Sequence, residues 1–298
     1  MAVQWLWALV SVAVAIAIWA IFIERQLFAI RRQSIKILPN GSAPITVLQI
    51  GDTHFAPWQR RKAKFVSELA ALNPDLVINT GDNLGHKDSI GFTLTAFSRL
   101  LEKPGVFVNG SNDYYAPVLR NPLGYLVKPS DRSEGAVLET SRLVGGFTSA
   151  GWVNLNNKSG TLVVNGIKLG FLGVDDAHDE LDNLSSIPTQ AKELIGSDLI
   201  IGVSHAPYLR VLEAMSENGA ELVFSGHTHG GQVCIPLVGA LTTNCDLPNK
   251  NAKGLSAWKF SGRELLLSVV AGLGNSIYAP VRFFCRPEVR LITLVAKS

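Results

Sequence analysis

Six acidic and imidazole side chains in this sequence stand directly after short apolar runs that are typical of strands. They are Asp52, His54, Asp82, His205, His227 and His229, and they include four of the six histidines in the chain. Carboxylate and imidazole groups without thiolate suit divalent transition metals. In an open α/β sheet, residues that follow several strands meet in one crevice at the carboxyl ends of those strands. The pattern therefore predicts one metal site assembled from distant parts of the chain.

The spacing within these stretches also suits metal binding. In an extended segment, side chains two residues apart point in the same direction, so Asp52 and His54 can hold one ion together. His227 and His229 have the same spacing. A single pair of this kind is weak evidence, whereas four such stretches in one chain make a much stronger case.

The segments between the candidate ligands alternate between strand and helix patterns. Strands are predicted at Ile45–Ile50, Asp75–Asn79 and Val106–Asn109, and helices at Arg60–Leu72 and Ser89–Glu102. This β-α-β-α-β order predicts parallel strands with right-handed crossovers and helices that cover the sheet. The fold class is therefore α/β.

The second half of the chain combines shorter strands with a return to the same alternation. Predicted strands are Trp152–Leu155, Leu162–Val164, Lys168–Val174, Leu199–Ser204, Glu221–Ser225, Glu264–Ala271 and Glu288–Val295, with a helix at Tyr208–Glu217 and turns at Ser159-Gly160 and Asn165-Gly166. Asn-Gly is a strong hairpin signal, so pairing is expected to become antiparallel there. The segment Tyr114–Glu134 contains three prolines and is predicted to be a lid or binding loop.

The N-terminus differs from everything that follows it. Ala2–Ile23 carries no charge and is long enough to span a bilayer, which takes about 20 apolar residues. Residues 1–24 are therefore predicted to be a transmembrane anchor, 25–42 a basic juxtamembrane linker and 43–298 a globular domain. Within the linker, Ile30–Lys36 is expected to continue as a helix, which Pro39-Asn40-Gly41-Ser42 ends. A buried core helix is the alternative for the apolar run.

The charges around the apolar run predict its orientation. No Lys or Arg precedes it, whereas Arg25, Arg31, Arg32 and Lys36 follow it. The positive-inside rule then predicts a single-pass protein of the cell membrane with the domain on the cytoplasmic side. The absence of a basic start argues against a cleaved signal peptide.

Composition excludes some classes of partner. The net charge of +3 is small and the cations form no run or stripe, so no nucleic-acid partner is expected. Cys234, Cys245 and Cys285 are odd in number and lack C-x-x-C spacing, which indicates neither a disulfide framework nor a zinc ribbon. They are expected to be small buried hydrophobes.

As a set, the motifs resemble the calcineurin-like metallophosphoesterases. They are Gly51-Asp52-Thr53-His54, Gly81-Asp82-Asn83, Ser204-His205-Ala206-Pro207 and Gly226-His227-Thr228-His229-Gly230-Gly231-Gln232. The last is similar to the form found in the bacterial membrane-anchored subgroup, as are Gly272-Leu273-Gly274, Pro280-Val281-Arg282 and Arg286-Pro287-Glu288 near the C-terminus. The resemblance implies a metallophosphoesterase-type β-sandwich flanked by helices (α/β/β/α), preceded by one transmembrane helix.

The resemblance also implies a division of the ligands between two metal ions. Asp52, His54 and His229 would hold one ion, His205 and His227 the other, and Asp82 would bridge them. Two divalent ions about 3.5–4 Å apart can share a hydroxide that attacks phosphorus in line. The expected activity is hydrolysis of phosphoester or phosphoanhydride bonds, and the donor set favours Mn²⁺, Fe or Zn²⁺ without choosing among them.

One motif departs from the family. Its usual Gly-Asn-His is replaced by Gly110-Ser111-Asn112, followed by Asp113. Without a gap, Ser111 takes the ligand position and Asn112 the position of the proton-donating His. A shift by one residue would instead make the Asn112 amide oxygen a ligand. No catalytic residue is therefore assigned here, although His86 or Asp113 could act as a substitute acid, and His178 is expected to be structural.

This departure influences the expected substrate. An amide does not donate a proton as an imidazolium does, so good leaving groups, such as those of phosphoanhydrides, should be affected least. The expected substrate is a phosphodiester or pyrophosphate that is small or lipid-linked, with Tyr115–Lys128 and Val281–Arg290 facing the membrane. The alternatives are a metal-binding pseudoenzyme or scaffold and a phosphomonoesterase.

Overall fold

Two six-stranded sheets pack face to face in the computed structural model, which describes residues 1–119 and 135–297. The strands, in chain order, are β1 Ala29–Leu38, β2 Ile45–Ile50, β3 Leu76–Asn79, β4 Gly105–Phe107, β5 Val153–Asn154, β6 Ser159–Val164, β7 Ile167–Gly173, β8 Leu199–Val203, β9 Leu222–Ser225, β10 Cys234–Ile235, β11 Gly239–Ala240, β12 Gly254–Phe260, β13 Arg263–Val269 and β14 Glu288–Ala296. The α-helices are α1 Ala2–Ile18, α2 Arg60–Glu68, α3 Ile90–Phe97, α4 Ser111–Tyr114, α5 Thr140–Ser149, α6 Ile187–Glu193 and α7 Leu209–Glu217.

The first sheet has the order β1-β14-β2-β3-β4-β5, and the second has the order β12-β13-β9-β8-β7-β6. In the first sheet β2, β3, β4 and β5 run parallel, as the β-α-β order predicts. In the second sheet β7, β8, β9 and β13 are parallel, and the antiparallel strands β6 and β12 form its edges. The strands β10 and β11 form a separate small hairpin.

The main core lies between the two sheets. Val47 and Ile78 from the first sheet pack into one buried cluster with Phe171, Ile201 and Phe224 from the second. Such a layer excludes water from both inner faces, and side chains alternate between the two sides of each strand. The outward-facing side chains must therefore be covered by helices.

Helices cover both outer faces. On the first sheet, Leu48 and Ile50 pack with Val66 of α2 and Phe97 of α3. On the second sheet, Leu265 packs in a cluster that includes three residues of α7. These α7 residues are Val211, Leu212 and Met215. The expected α/β/β/α sandwich is confirmed.

The N-terminal helix α1 extends away from this sandwich. Helical turns continue to Gln26, and Val3–Gln26 is long and apolar enough to cross a membrane by length and composition. Almost none of it is buried against the rest of the protein. Its end is attached to the domain, because buried Glu24 accepts hydrogen bonds from the backbone N–H groups of Phe284 and Cys285.

The predicted juxtamembrane helix at Ile30–Lys36 is wrong. This stretch lies in β1, which pairs in parallel with β14 from Ala29 opposite Glu288 onward. Its burial alternates toward the C-terminal end, where Ile35 and Ile37 enter the core between the sheets. Much of the predicted linker 25–42 is therefore an edge strand of the sandwich, and the basic residues of this strand, Arg31, Arg32 and Lys36, are exposed.

Most other predicted elements agree with the structure within a few residues. The hairpin at Asn165-Gly166 joins β6 and β7, and both turn residues have a positive φ. Ser159-Gly160 is not a turn, because β6 begins there. The sequence patterns did not predict α5, α6 or β12. Most of the predicted loop Tyr114–Glu134 lies outside the described residues.

Candidate metal centre

The candidate ligands occupy the loops that follow four parallel strands. Asp52 and His54 follow β2, and Asp82 follows β3 of the first sheet. His205 follows β8, and His227 begins the stretch that follows β9 of the second sheet. Parallel strands end at the same edge, so the six side chains gather where the two sheets meet.

Four of these residues form a compact group. One ligand atom from each of Asp52, His54, Asp82 and His229 lies within 4.8 Å of the others. The His54 Nε2 atom is 3.2 Å from His229 Nε2 and 3.3 Å from the Asp82 carboxylate. His229 Nε2 is in turn 3.8 Å from the Asp52 carboxylate. The structure thus brings together the three ligands expected for one ion and the expected bridging carboxylate.

The remaining two histidines lie on the other side of Asp82. His205 Nε2 is 3.5 Å from the Asp82 carboxylate, so this carboxylate lies between His54 and His205. The rings of His205 and His227 meet edge to face with centroids 5.2 Å apart. His227 Nε2 is 3.1 Å from the Asn244 carbonyl oxygen, and its side chain is not part of the compact group.

The backbone at these ligands is strained. Asp52, His54, Asp82, His227 and His229 all have φ between 40° and 68°, a region that side-chain-bearing residues seldom adopt. Such conformations cost on the order of 1–3 kcal/mol each at sites where the surrounding structure enforces them. They turn the chain sharply at the strand ends and direct the side chains inward. Strain concentrated at five candidate ligands indicates a functional site.

Hydrogen bonds to backbone carbonyls fix two of the imidazoles. His205 Nδ1 is 2.8 Å from the Thr80 carbonyl oxygen, and His229 Nδ1 is 3.2 Å from that of Gly274. A ring nitrogen that donates to a carbonyl leaves the other nitrogen as an acceptor or metal ligand. The free Nε2 atoms of both rings therefore face the carboxylates.

Burial and charge also favour ligand-ready protonation states. Burial lowers the pKa of His227 and His229 well below the ordinary value, with neighbouring imidazoles and Arg282 adding to the effect. Burial opposes the charge of Asp82, but His205, His54 and the backbone N–H of Asn112 hold its pKa well below the usual range. Burial lowers the pKa of His205, but the nearby carboxylates of Asp82, Asp176 and Asp52 outweigh burial and raise this pKa to about 9. The site thus presents two neutral imidazoles, His227 and His229, beside an ionised carboxylate.

This arrangement fits a divalent cation. Two lone-pair-bearing ring nitrogens 3.2 Å apart repel each other unless a proton or a cation lies between them. His205 Nε2 and His54 Nδ1 are fully buried without a hydrogen-bond partner in the described part of the chain. Buried polar atoms are rarely left without a partner. Carboxylates and imidazoles supply the donor set of a divalent transition metal site.

The motif that departs from the family pattern, Gly110-Ser111-Asn112, leads into the short helix α4. The Asn112 backbone N–H is 2.9 Å and its side-chain amide 2.7 Å from the Asp82 carboxylate. The Asp113 carboxylate accepts hydrogen bonds from the N–H groups of Asn83 and Gly110. The structure therefore brings Asn112 to the centre, and it ties Asp113 to the surrounding backbone.

Several residues at the centre were missed by sequence reasoning. Arg282 is fully buried and donates to the carbonyl oxygens of Ala271 and Gly274, directly under His229. It was noted only as part of a C-terminal motif. The His178 ring, expected to be structural, has its centroid 4.5 Å from that of His227, whereas the recorded contacts of His86 are with Trp58 and the neighbouring loop.

Close approach explains two of the motif glycines. A Cβ atom on Gly110 would lie 2.3 Å from Asp82 Oδ1 and 2.7 Å from His205 Nε2. A Cβ atom on Gly226 would lie 2.3 Å from Asp52 Oδ2. All three distances are too short for real contacts. The motifs show these glycines in the sequence, but only the fold shows which atoms approach them closely.

The sandwich and its buried Asp/His cluster define a metal-dependent phosphoesterase. Residues 45–231 match the calcineurin-like phosphoesterase family, and the chain belongs to that family. Together with its relatives, this makes the protein a metal-dependent hydrolase that acts on phosphoester bonds.

The chain is also similar to individual proteins of several bacteria. It is 27% identical over 278 residues to phosphodiesterase YaeI of Escherichia coli (strain K12), covering 90% of this chain and 88% of the relative. It is 27% identical over 257 residues to YpbG of Bacillus subtilis (strain 168), covering 85% and 82%. Among solved structures, TT1561 of Thermus thermophilus aligns with a TM-score of 0.45 at 12% identity, covering 78% and 91%.

Proposed function

We propose that this protein hydrolyses a phosphodiester or pyrophosphate carried by a membrane-associated molecule. The observation that carries the proposal is the position of Asn112. Its amide lies 2.7 Å from the Asp82 carboxylate, where the family resemblance expects a proton-donating His. An amide does not act as a general acid, a role that contributes about 10²–10⁴-fold to rates. Substrates whose leaving group needs no protonation are therefore favoured.

We assign the six residues of the centre as ligands of two cations. Asp52, His54 and His229 form one side, His205 with His227 forms the other, and the Asp82 carboxylate lies between them. When bound, such ions activate water and neutralise charge on the phosphoryl oxygens. The chain itself contributes positioning: Thr80 and Gly274 orient two rings, and the strained loops keep the ligands directed toward one point. Mn²⁺, Fe and Zn²⁺ all suit this donor set.

Support for a membrane-associated substrate comes from the attachment of the N-terminal helix. The Arg282 backbone N–H donates to the Ala20 carbonyl oxygen at 3.1 Å, and the Arg282 side chain lies against His229. One residue thus contacts both the apolar segment and the candidate metal centre. An anchor that inserts in a bilayer would hold this centre close to the lipid surface.

The proposed location is the cell membrane, with one span and the domain on the cytoplasmic side. Basic residues follow the apolar segment closely, which is the pattern of a cytoplasmic C-terminal domain. Protease added outside intact spheroplasts should leave the domain uncut. Cleavage of the domain under these conditions, with a cytoplasmic marker protein intact, would reverse the assignment.

The choice of substrate class can be tested with two aryl esters. The full chain, purified in detergent with Mn²⁺, should hydrolyse bis(4-nitrophenyl) phosphate faster than 4-nitrophenyl phosphate. Faster hydrolysis of the monoester would favour a phosphomonoesterase instead. Equal and negligible rates, no higher than those of Asp82→Asn protein, would favour a binding or scaffold role.

A further inference from the structure

A polar cavity lies beside the end of the N-terminal helix. Its volume is about 220 Å³. It is lined by Arg25, Gln26, Phe28, Trp58, Gln59, Arg60, Arg61, Lys62, Leu273 and Asn275. Four of these ten side chains are basic and none is acidic, and the three arginines carry a positive charge, so the cavity suits an anion.

The cations around this cavity lack counter-charges. Within the described residues, none of Arg25, Arg60, Arg61 and Lys62 makes an ion pair. Arg25 Nε is fully buried without a hydrogen-bond partner. Lys62 is more than nine-tenths buried, burial lowers its pKa well below the ordinary value, and its side-chain nitrogen donates to backbone carbonyl oxygens. Arg25 is thus the cation whose buried nitrogen has no acceptor, and because buried charged groups are normally paired, an anion beside it is implied.

The first turn of α2 adds backbone donors to the same cavity. The helix begins at Arg60, and the preceding Gln59 side chain does not cap it. The N–H groups of Arg61 and Lys62 have no recorded acceptor in the described structure. Free N–H groups and the helix dipole at an N-terminus attract phosphate groups.

We propose that this cavity binds the phosphate of an anionic phospholipid at the membrane surface. Arg25 and Gln26 end the apolar segment Val3–Gln26, so the cavity opens at the level where the lipid headgroups would surround an inserted helix. Trp58, 61% exposed, lines the cavity. Tryptophan is enriched at this depth of a bilayer.

Exposed apolar side chains near the helix end fit the same occupant. Leu237 and Val238, at the tip of the β10–β11 hairpin, are largely exposed. The base of this hairpin bonds to Phe283, whose neighbour Phe284 bonds to Glu24 at the end of the helix. The exposed hairpin is thus linked, through Phe283 and Phe284, to the end of the apolar helix.

The cavity also contacts the metal centre. Lys62 donates to the carbonyl oxygens of Thr53 and His54, and Asn275 follows the Gly274 carbonyl that orients His229. A bound phospholipid would fix the metal centre relative to the bilayer. This inference rests on the proposed membrane anchoring but not on the hydrolytic reaction, so its test measures binding alone.

The test is calorimetric titration of the full chain in neutral detergent micelles. Three ligands are compared: a short-chain phosphatidylglycerol, the matching phosphatidylcholine, and inorganic phosphate. The Arg61→Gln variant removes a cation of the cavity, and Lys64→Gln removes one from the same helix at a 77% exposed position. Neither residue is a candidate metal ligand, and the metal content of each variant is measured as a check on folding.

We expect phosphatidylglycerol to bind the unmodified protein and phosphatidylcholine to bind far more weakly. Arg61→Gln should weaken phosphatidylglycerol binding about tenfold, the effect of one charge-assisted hydrogen bond, whereas Lys64→Gln should leave it unchanged. Equal binding of the two lipids, or equal loss in both variants, would overturn the proposal. If inorganic phosphate bound but phosphatidylglycerol did not, a lipid would be excluded as the source of the bound phosphate.

Discussion

The two sides of the candidate metal centre differ in how closely their side chains gather. On one side, His54 and His229 point their Nε2 atoms at each other across 3.2 Å, beside two carboxylates. On the other side, His205 approaches Asp82 but His227 contacts a backbone carbonyl, and Asn112 replaces the family His. The candidate ligands of the first side form one compact group, whereas the second side is looser and includes the loop that departs from the family motif. Ion affinity and proton donation should therefore differ between them.

The largest effect is expected from Asp82, which belongs to both sides. Replacing it by Asn removes the charge that faces His54 and His205. Diester hydrolysis should fall at least about 10³-fold, equivalent to about 4 kcal/mol of transition-state stabilisation. The exposed Asp88→Asn variant serves as the control and should retain full activity. A loss below about tenfold would mean that Asp82 does not join the two sides.

A methyl group at Gly110 should damage the second side selectively. Its Cβ atom would collide with Asp82 Oδ1 and His205 Nε2. Metal analysis of Gly110→Ala protein should show loss of one ion per chain, with an affinity reduced at least about 100-fold. Gly91→Ala is the matched control, since nothing lies within 4 Å of its added methyl group. Unchanged metal content in both variants would contradict the assigned geometry.

Substitution of Arg282 tests how far the first side depends on the loop that orients His229. It supports the loop that orients His229 through carbonyl oxygens rather than by touching a substrate. Arg282→Gln should reduce metal affinity about 10–100-fold, the range for residues that orient ligands. Arg282→Lys should recover part of the lost metal affinity, because an ammonium can still donate hydrogen bonds. A variant that loses thermal stability but binds metal normally would limit Arg282 to a purely structural role.

The smallest expected effect is a gain in hydrolysis rate from a substitution on the second side. Asn112→His restores an imidazole at the place of the amide that contacts Asp82. Hydrolysis of a diester with a poor leaving group, such as phenyl, should rise about tenfold or more relative to the 4-nitrophenyl ester. Asn112→Ala, which supplies no donor, should not produce this change. An equal effect of the His substitution on both esters would show that proton donation is not what Asn112 lacks.

Much of the fold was predictable because it follows from local patterns. The apolar runs before Asp52 and Asp82 are short, buried strands, and the helices between them carry clear periodicity. β1 was missed since its basic residues resemble a membrane-flanking helix. Its strand conformation depends on pairing with β14, more than 250 residues away. Such long-range pairing leaves no local signal.

The candidate site was predictable in residue type but not in detail. Asp52, His54 and the other ligands carry a sequence signal because their spacing follows strand ends. The roles of Arg282 and of the Asn244 carbonyl left no signal in the sequence, because these groups belong to loops that meet only in three dimensions. The direction of the Asn112 side chain was likewise undetermined, because it depends on the short helix α4.

The most direct test of the account is an anomalous diffraction map of the protein crystallised with Mn²⁺. It should show two peaks that share the Asp82 carboxylate, one beside His54 and His229 and one beside His205. Lower occupancy is expected for the peak beside His205. A single peak, or peaks away from Asp82, would contradict the dinuclear centre proposed for these six side chains.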